Sequence, residues 1–409
     1  MKWLPRLGGS ACLGAAAVAV GYGREWPVEE KKAADDKRRS EQEARARSLV
    51  QRCMATKGIP GLSIAVSVNG RTQWAEGFGM ADIETGARCH KNTMMRIASI
   101  SKPITSTLAA IAVDGGYLDL DAPIQKYLPD FPVKKWNNNP TIITTRMLLS
   151  HTSGIRHYKK KGEPQVNGDG NAAKTSEFYS NKAYANTTEA VKMFADDELV
   201  VEPGTYQYTT HGFTLVAAIL EKVTGDGAIS FERQIDMLVR RLGMRNTRLD
   251  RNATIINDRA KYYLRNAKGE LENTPEVDNS YKWAGGGILS TAPDLTIFGN
   301  AVLYSQQQKP GSISSPPALI SPETCAVFWK GEIGIGPYAA SALGWARIDV
   351  PPGGPVGGAP EASSYGGYWC HTGGAPGCPN GVVVAILVNL QSTSVLTLAI
   401  EIAELFREQ

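Results

Sequence analysis

The chain has 409 residues, 42% hydrophobic and 21% charged, enough apolar material for a large core built as one catalytic unit or two interleaved subdomains. A net charge of +4 and a pI near 8.6 are mild, and the basic residues are scattered rather than interleaved with aromatics, so no nucleic-acid partner is indicated. Six cysteines without a C-x-x-C pair, and no His/Cys cluster at zinc spacing, suit reduced thiols and imply neither a metal site nor an organic cofactor.

Lys2 and Arg6 precede a charge-free stretch, Leu7 to Gly23, made largely of Ala, Gly and Val. Three readings stay open for residues 1–24: a secretory signal, a mitochondrial presequence, or a weak membrane anchor. Residues 25–50 are dense in Glu, Lys, Asp and Arg and read as a solvated helix or a disordered tether. The packed domain is expected over 51–409. It opens with Gly61–Val68, the turn Asn69-Gly70 and Arg71–Gly79, a strand, a two-residue turn and a second strand.

Ser99-Ile100-Ser101-Lys102 then leads into the apolar run Thr105–Val113, which puts a hydroxyl and an amine at helical i, i+3 spacing on one face. A serine alcohol is inert near neutral pH. Lys102 can take its proton only if desolvation, or the positive end of a helix, keeps the amine partly neutral. The plainer alternative is a serine N-cap ahead of a solvated lysine, and about one S-x-x-K match arises by chance in a chain this long.

Helices over Thr145–Ser150 and Thr214–Thr224 follow, and the Lys-, Asn- and Gly-rich segment 159–182 reads as a surface insertion. Tyr208 lies in a loop ahead of the second of these helices. Beside an ammonium at Lys102, its phenol pKa would fall toward the working range and fit it to relay protons; otherwise its hydroxyl is tied to backbone. His151 and His157 read as structural, the first near a helix end and the second in an exposed turn, and His211 as packing at a helix start. Trp283 reads as core, with substrate contact as the alternative, Gly285-Gly286-Gly287 as a close-packed turn, and Thr291-Ala292-Pro293-Asp294 as a capped helix start.

Strand character returns in Ser364–Thr372 and Gly381–Leu390, with a helix over Val395–Phe406. Strands at both ends with helices between them predict an α/β (α+β) fold in which distant segments close one antiparallel sheet. His371-Thr372-Gly373-Gly374 ends the first of these strands. Its glycines admit a substrate carbonyl, and the Gly374 amide with that of Ser99 would make an oxyanion hole; taken alone, it is a strand followed by a turn.

In the order Ser-x-x-Lys, Tyr, His-Thr-Gly, and with Leu118–Asp121, Leu148–Tyr158 and Asn279–Gly287, the chain resembles the serine β-lactamase and penicillin-binding-protein superfamily. Over roughly residues 50–409 it looks closer still to the mitochondrial serine β-lactamase-like branch of animals. The resemblance implies a β-lactamase/transpeptidase-like fold, an antiparallel sheet flanked by helices plus an all-helical subdomain, with the serine at their junction. It implies Ser99 as acylated nucleophile, Lys102 as base, Tyr208 as proton relay, and His371-Thr372-Gly373 as the substrate-facing strand. The activity it implies is that of a serine hydrolase, in that branch a mitochondrial peptidase, acting on a peptide or ester substrate. With it come lipid metabolism, homo-oligomers or filaments in the intermembrane space, and a preference for the mitochondrial over the secreted reading; weak membrane association through the N-terminus is what the anchor reading of residues 1–24 implies. The rival expectation is a filament-forming scaffold with a vestigial site.

Three departures from the superfamily stand out. His371 replaces a lysine that grips substrate carboxylates, which argues against β-lactam hydrolysis. Thr210 replaces the usual Asn or Ser, as in the mitochondrial branch. Only Cys378-Pro379-Asn380 follows Gly377 before the last strand, where the superfamily has a strand and a loop. Either the strand of Gly381–Leu390 takes the missing neighbour's place, or a coding segment is absent and backbone groups in the sheet lack partners.

Overall fold

The computed structural model describes residues 28–158, 177–308, 318–337, 339–349, 367–371 and 381–407, so the readings made for 1–24 lie outside the described residues. The chain divides into two units, residues 1–44 and Arg45–Gln409. Of the first, only helical turns at the start of α1 (Val28–Lys57) are described, carrying Asp35–Arg38 and Asp36–Arg39 pairs at i, i+3. Among the described residues no helix is long and apolar enough to cross a membrane.

In the second unit the last turns of α1 bury Ala46 and Val50. β1 (Gly61–Val68) and β2 (Arg71–Asp82) form the expected hairpin, and Asn69 and Gly70 both adopt positive φ (50° and 77°), the backbone a two-residue turn between right-twisted strands requires. β3 (Ala87–Arg88) and β4 (Met95–Arg96) lead to the wholly helical stretch α2 (Ser101–Asp114). A small hairpin, β5 (Lys135–Trp136) and β6 (Asn139–Pro140), precedes α3 (Thr145–Leu149), α4 (Thr187–Val191), α5 (His211–Val223) and α6 (Phe231–Leu242). Thr144, Asn186 and Ser230 cap the starts of α3, α4 and α6 by accepting an amide of the first turn through the side chain.

Short strands β7 (Arg248–Leu249), β8 (Tyr263–Arg265) and β9 (Leu271–Asn273) precede α7 (Trp283–Gly286) and β10 (Ile288–Ser290). Two helices with Ser/Thr caps and proline in the first turn follow, α8 (Ala292–Gln307) and α9 (Pro322–Trp329). The chain ends in β11 (Ile333–Gly336), β12 (Ala339–Ser341), β13 (Ala346–Asp349), β14 (Gly367–Cys370), β15 (Val382–Val388) and α10 (Leu396–Arg407).

Every ladder between these strands is antiparallel, and β15 pairs with β1 from Leu62↔Val388 to Val68↔Val382, so segments from the two ends of the domain close the sheet. The order is β15-β1-β2-β3, with a second four-stranded ladder β11-β12-β13-β14. Successive residues of β15 serve opposite faces: Val384 and Ile386 pack with Ile402 and Phe406 of α10, while Ala385 and Leu387 join the core shared by α2, α5 and α8. This is the expected α+β architecture, a sheet covered on both faces with a helical region beyond one of them. The last strand stays beside β1 rather than moving into a neighbour's place. Among the described residues no ladder joins it to β14, and the short connection 372–380 lies outside them.

Asn389, 1% exposed, ties the ends of three strands together: its carbonyl takes Gly61 N–H at 2.8 Å, and its amide donates to Met80 O at 3.0 Å. Asn389→Ala leaves those backbone groups without partners in a dry place. It is expected to lower unfolding stability by about 2–3 kcal/mol in urea titrations, and a change under about 0.5 kcal/mol would contradict this role.

Candidate active site

The site begins at a backbone irregularity. Ala98 adopts φ +46°, a left-handed conformation rare for a residue with Cβ, and turns the chain from β4 into a short 3-10 turn, Ala98–Ile100, that runs straight into α2. Ser99 is thereby half-exposed at the mouth of a helix whose following residues are buried.

Lys102, one turn on, is fully buried, and its Nζ lies 3.1 Å from Ser99 Oγ. It donates to Gly285 O at 2.6 Å and to Thr210 Oγ1 at 3.3 Å. Among the described residues no carboxylate forms an ion pair with it. Burial therefore pushes its pKa well below the usual lysine range, and the nearby Lys282 pushes the same way. A neutral amine has two N–H donors, matched here by Gly285 O and Thr210 Oγ1, and one lone pair, left for the Ser99 proton.

Tyr208 Oη donates to Ser99 Oγ at 2.6 Å. The electrostatics differ from the sequence expectation. Burial drives the phenol pKa upward and outweighs the lowering by the hydrogen bond to Ser99, while Lys102 Nζ lies over the ring, 4.6 Å from its centroid. Tyr208 is thus a phenol that donates. It is not a phenolate that abstracts.

His151 is buried and stacks on Tyr208 at 4.4 Å between centroids, and His157 meets the same ring edge-on at 5.5 Å. His157 was expected in an exposed turn; it is half-buried, packed on Tyr158 at 3.9 Å, and desolvation pushes its pKa down to about 3. His211 opens α5 as expected, fully buried and stacked on Phe194.

Behind this neutral set sits an ionised one. Arg156, 2% exposed, reaches Asp197 at 2.6 Å and Glu177 at 3.0 Å, and Glu177 also holds His211 at 2.6 Å. Of the segment read as a surface insertion, 159–176 lies outside the described residues, while Glu177 and the buried Tyr179 turn inward. Phe178 O accepts from Lys282 Nζ at 2.9 Å, and burial lowers that lysine's pKa to about 7. Glu177 and Lys282 were missed in the sequence. A lone lysine inside the apolar stretch Tyr281–Gly287 was the available signal, whereas nothing local marks Glu177.

A cleft of about 470 Å³ opens over Ser99, walled by Arg96, Tyr158, Phe178, Lys282 and His371. His371 is buried at the end of β14 with its ring 6.4 Å from that of Tyr208, so the structure brings it to the same cleft. Thr372, Gly373 and Gly374 lie outside the described residues.

A two-sided antiparallel sheet with a serine, a buried lysine and a tyrosine at the helical junction defines the β-lactamase/transpeptidase class of serine hydrolases. The chain belongs to the Beta-lactamase family, whose sequence model matches residues 46–405. It is 32% identical to the serine beta-lactamase-like protein LACTB, mitochondrial, of Homo sapiens, over 88% of this chain and 78% of that protein. Esterase EstB of Burkholderia gladioli is 27% identical over 50% of each chain. The octameric penicillin-binding protein homologue from Pyrococcus abyssi has the same fold, with a TM-score of 0.67 at 22% identity over 88% of this chain and 75% of its own.

Unfolded, Lys102 titrates near 10.5, and folded it titrates well below. Between those values the unfolded state holds the extra proton, so stability rises with pH through that window. Lys102→Met removes this proton. In urea titrations from about pH 7 to about pH 10 the parent should gain stability more steeply than the variant, by up to about 1.4 kcal/mol per pH unit. Equal slopes would mean that the amine is charged in the folded protein.

Proposed function

We propose that the protein is a serine hydrolase that cleaves an ester or peptide bond through an acyl-enzyme on Ser99. The observation that carries this reading is the meeting at one oxygen of a buried amine, without an acid partner among the described residues, and a phenol that donates. Lys102 takes the Ser99 proton as Oγ attacks the carbonyl carbon. The ammonium so formed is unstable where it is buried, and it passes its proton by way of Tyr208 to the leaving amine or alkoxide as the tetrahedral adduct collapses. Water then attacks the acyl-enzyme by the same route in reverse, giving its proton to the base and freeing the acid and Ser99. The amides of Ser99 and Gly374 would hold the oxyanion, and the strand of His371, Thr372 and Gly373 would align the substrate.

Both the name of the human relative and the acid-free, weakly basic N-terminal stretch support a mitochondrial location. The same kinship favours a peptidase of the intermembrane space that serves lipid metabolism and self-associates. That a more distant relative, EstB of Burkholderia gladioli, is named an esterase supports including simple esters among the first substrates tried.

Ser99→Ala should abolish labelling by a fluorophosphonate probe and lower p-nitrophenyl ester hydrolysis by about 10³-fold or more. Tyr208→Phe should retain slow labelling and lose about 10²–10⁴-fold in turnover. Labelling that persists at parental rate in Ser99→Ala would place the nucleophile elsewhere.

A further inference from the structure

The loop bearing Tyr208 belongs to no helix or strand, yet its phenol must stay within hydrogen-bond reach of Ser99. What fixes it is visible on either side of the ring. Gln207 N–H donates to His151 O at 2.7 Å. Thr209 N–H donates to His151 Nδ1 and Thr210 N–H to His157 Nδ1, each at 3.2 Å. Thr209 Oγ1 donates to Arg156 O at 2.6 Å, so the segment Arg156–His157 is itself bonded to the loop, and Arg156 is in turn held by Asp197 and Glu177.

We propose that His151 and His157 are positioning residues for the reaction: their Nδ1 atoms clamp the amides that follow Tyr208, and their rings pack on its aromatic face and edge, fixing the phenol on Ser99 Oγ. This rests on the reading of Ser99 and Tyr208 given above. An imidazole can accept at Nδ1 only when that nitrogen carries no proton, which makes both rings neutral with the proton on Nε2. Their surroundings enforce this state. Burial is the largest influence on each, and the groups facing them are Lys102, His371 and His157 for His151, and Lys102, His211, Lys282 and Arg156 for His157. The nearby carboxylate of Glu177 is engaged by Arg156 and His211.

His151 also has φ +62°, a conformation that asparagine tolerates better than other non-glycine residues. Asparagine at either position keeps an acceptor near the place of Nδ1. Leucine fills the space and keeps none. At His157 this comparison separates acceptor from bulk, which a purely structural role does not; at His151, where the left-handed backbone also penalises leucine, the Tyr208→Phe background makes the separation.

The test uses His151→Leu, His157→Leu and the two matching Asn variants in the full chain, with thermal melts to confirm folding and a p-nitrophenyl ester as substrate. Each folded Leu variant is expected to lose about 10- to 100-fold in kcat with KM within about two-fold, because an ångström of misplacement is worth about that much. Each Asn variant should recover at least half of the parental kcat. In a Tyr208→Phe background the Leu substitutions should cost less than about two-fold, since the group they position is gone. A folded Leu variant at parental kcat, an Asn variant as slow as its Leu counterpart, or an undiminished loss in the Tyr208→Phe background overturns the clamp. If Leu prevents folding at one position, the other position and the Asn pair still decide it. Should the parent hydrolyse nothing, the reading of Ser99 fails on its own, and crystal structures of the variants judge the clamp: Tyr208 Oη still within about 3 Å of Ser99 Oγ in a Leu variant overturns it, and a displaced Tyr208 supports it.

Discussion

An amine buried, among the described residues, without an acid partner is the constraint around which this molecule is arranged. Lys102 is completely enclosed, its hydrogen bonds go to a carbonyl and a hydroxyl, and desolvation therefore disfavours its ammonium form. A carboxylate within contact range would reverse the balance and hold the amine as an ion pair. The carboxylates of this region are instead spent on guanidinium and imidazole groups one layer further out. Asp250 faces Arg96 and Arg259, while Glu177 and Asp197 face Arg156.

This separation gives two tiers with different tasks. The inner one, Lys102, Tyr208, His151 and His157, is held toward its uncharged forms by burial. The outer one is ionised and directional, and it fixes the loops that carry the inner groups. Arg156 illustrates the link: its guanidinium belongs to the ionic tier, and its own carbonyl receives Thr209, one residue from the phenol.

Close packing supplies the rest. Gly285 brings its carbonyl to 2.6 Å from Lys102 Nζ, and a Cβ there would stand 2.6 Å from Thr210 Cγ2, displacing the other acceptor of the same amine. Thr105 and Ser106 bond from α2 to Ala284 O and Leu343 O, so the helix that carries Lys102 is pinned on two sides. The sheet contributes at longer range. Pairing of β1 with β15 lets α10 seal one face while the other supports α8 and α2, and the end of β14 delivers His371 to the cleft.

Local signals were enough for much of this. Alternation and an Asn-Gly turn specify the first hairpin, capping residues and apolar spacing specify the helix starts, and the spacing of Ser99 and Lys102 follows from one helical turn. The order of motifs was enough for the family. The sequence could not decide the protonation state of Lys102, the direction of the Tyr208 shift, the burial of His157, or the inward turn of Glu177. Each of these depends on which groups from remote segments exclude water or come within a few ångströms, and those distances exist only once α2, α5, α7 and the loops between them have packed together.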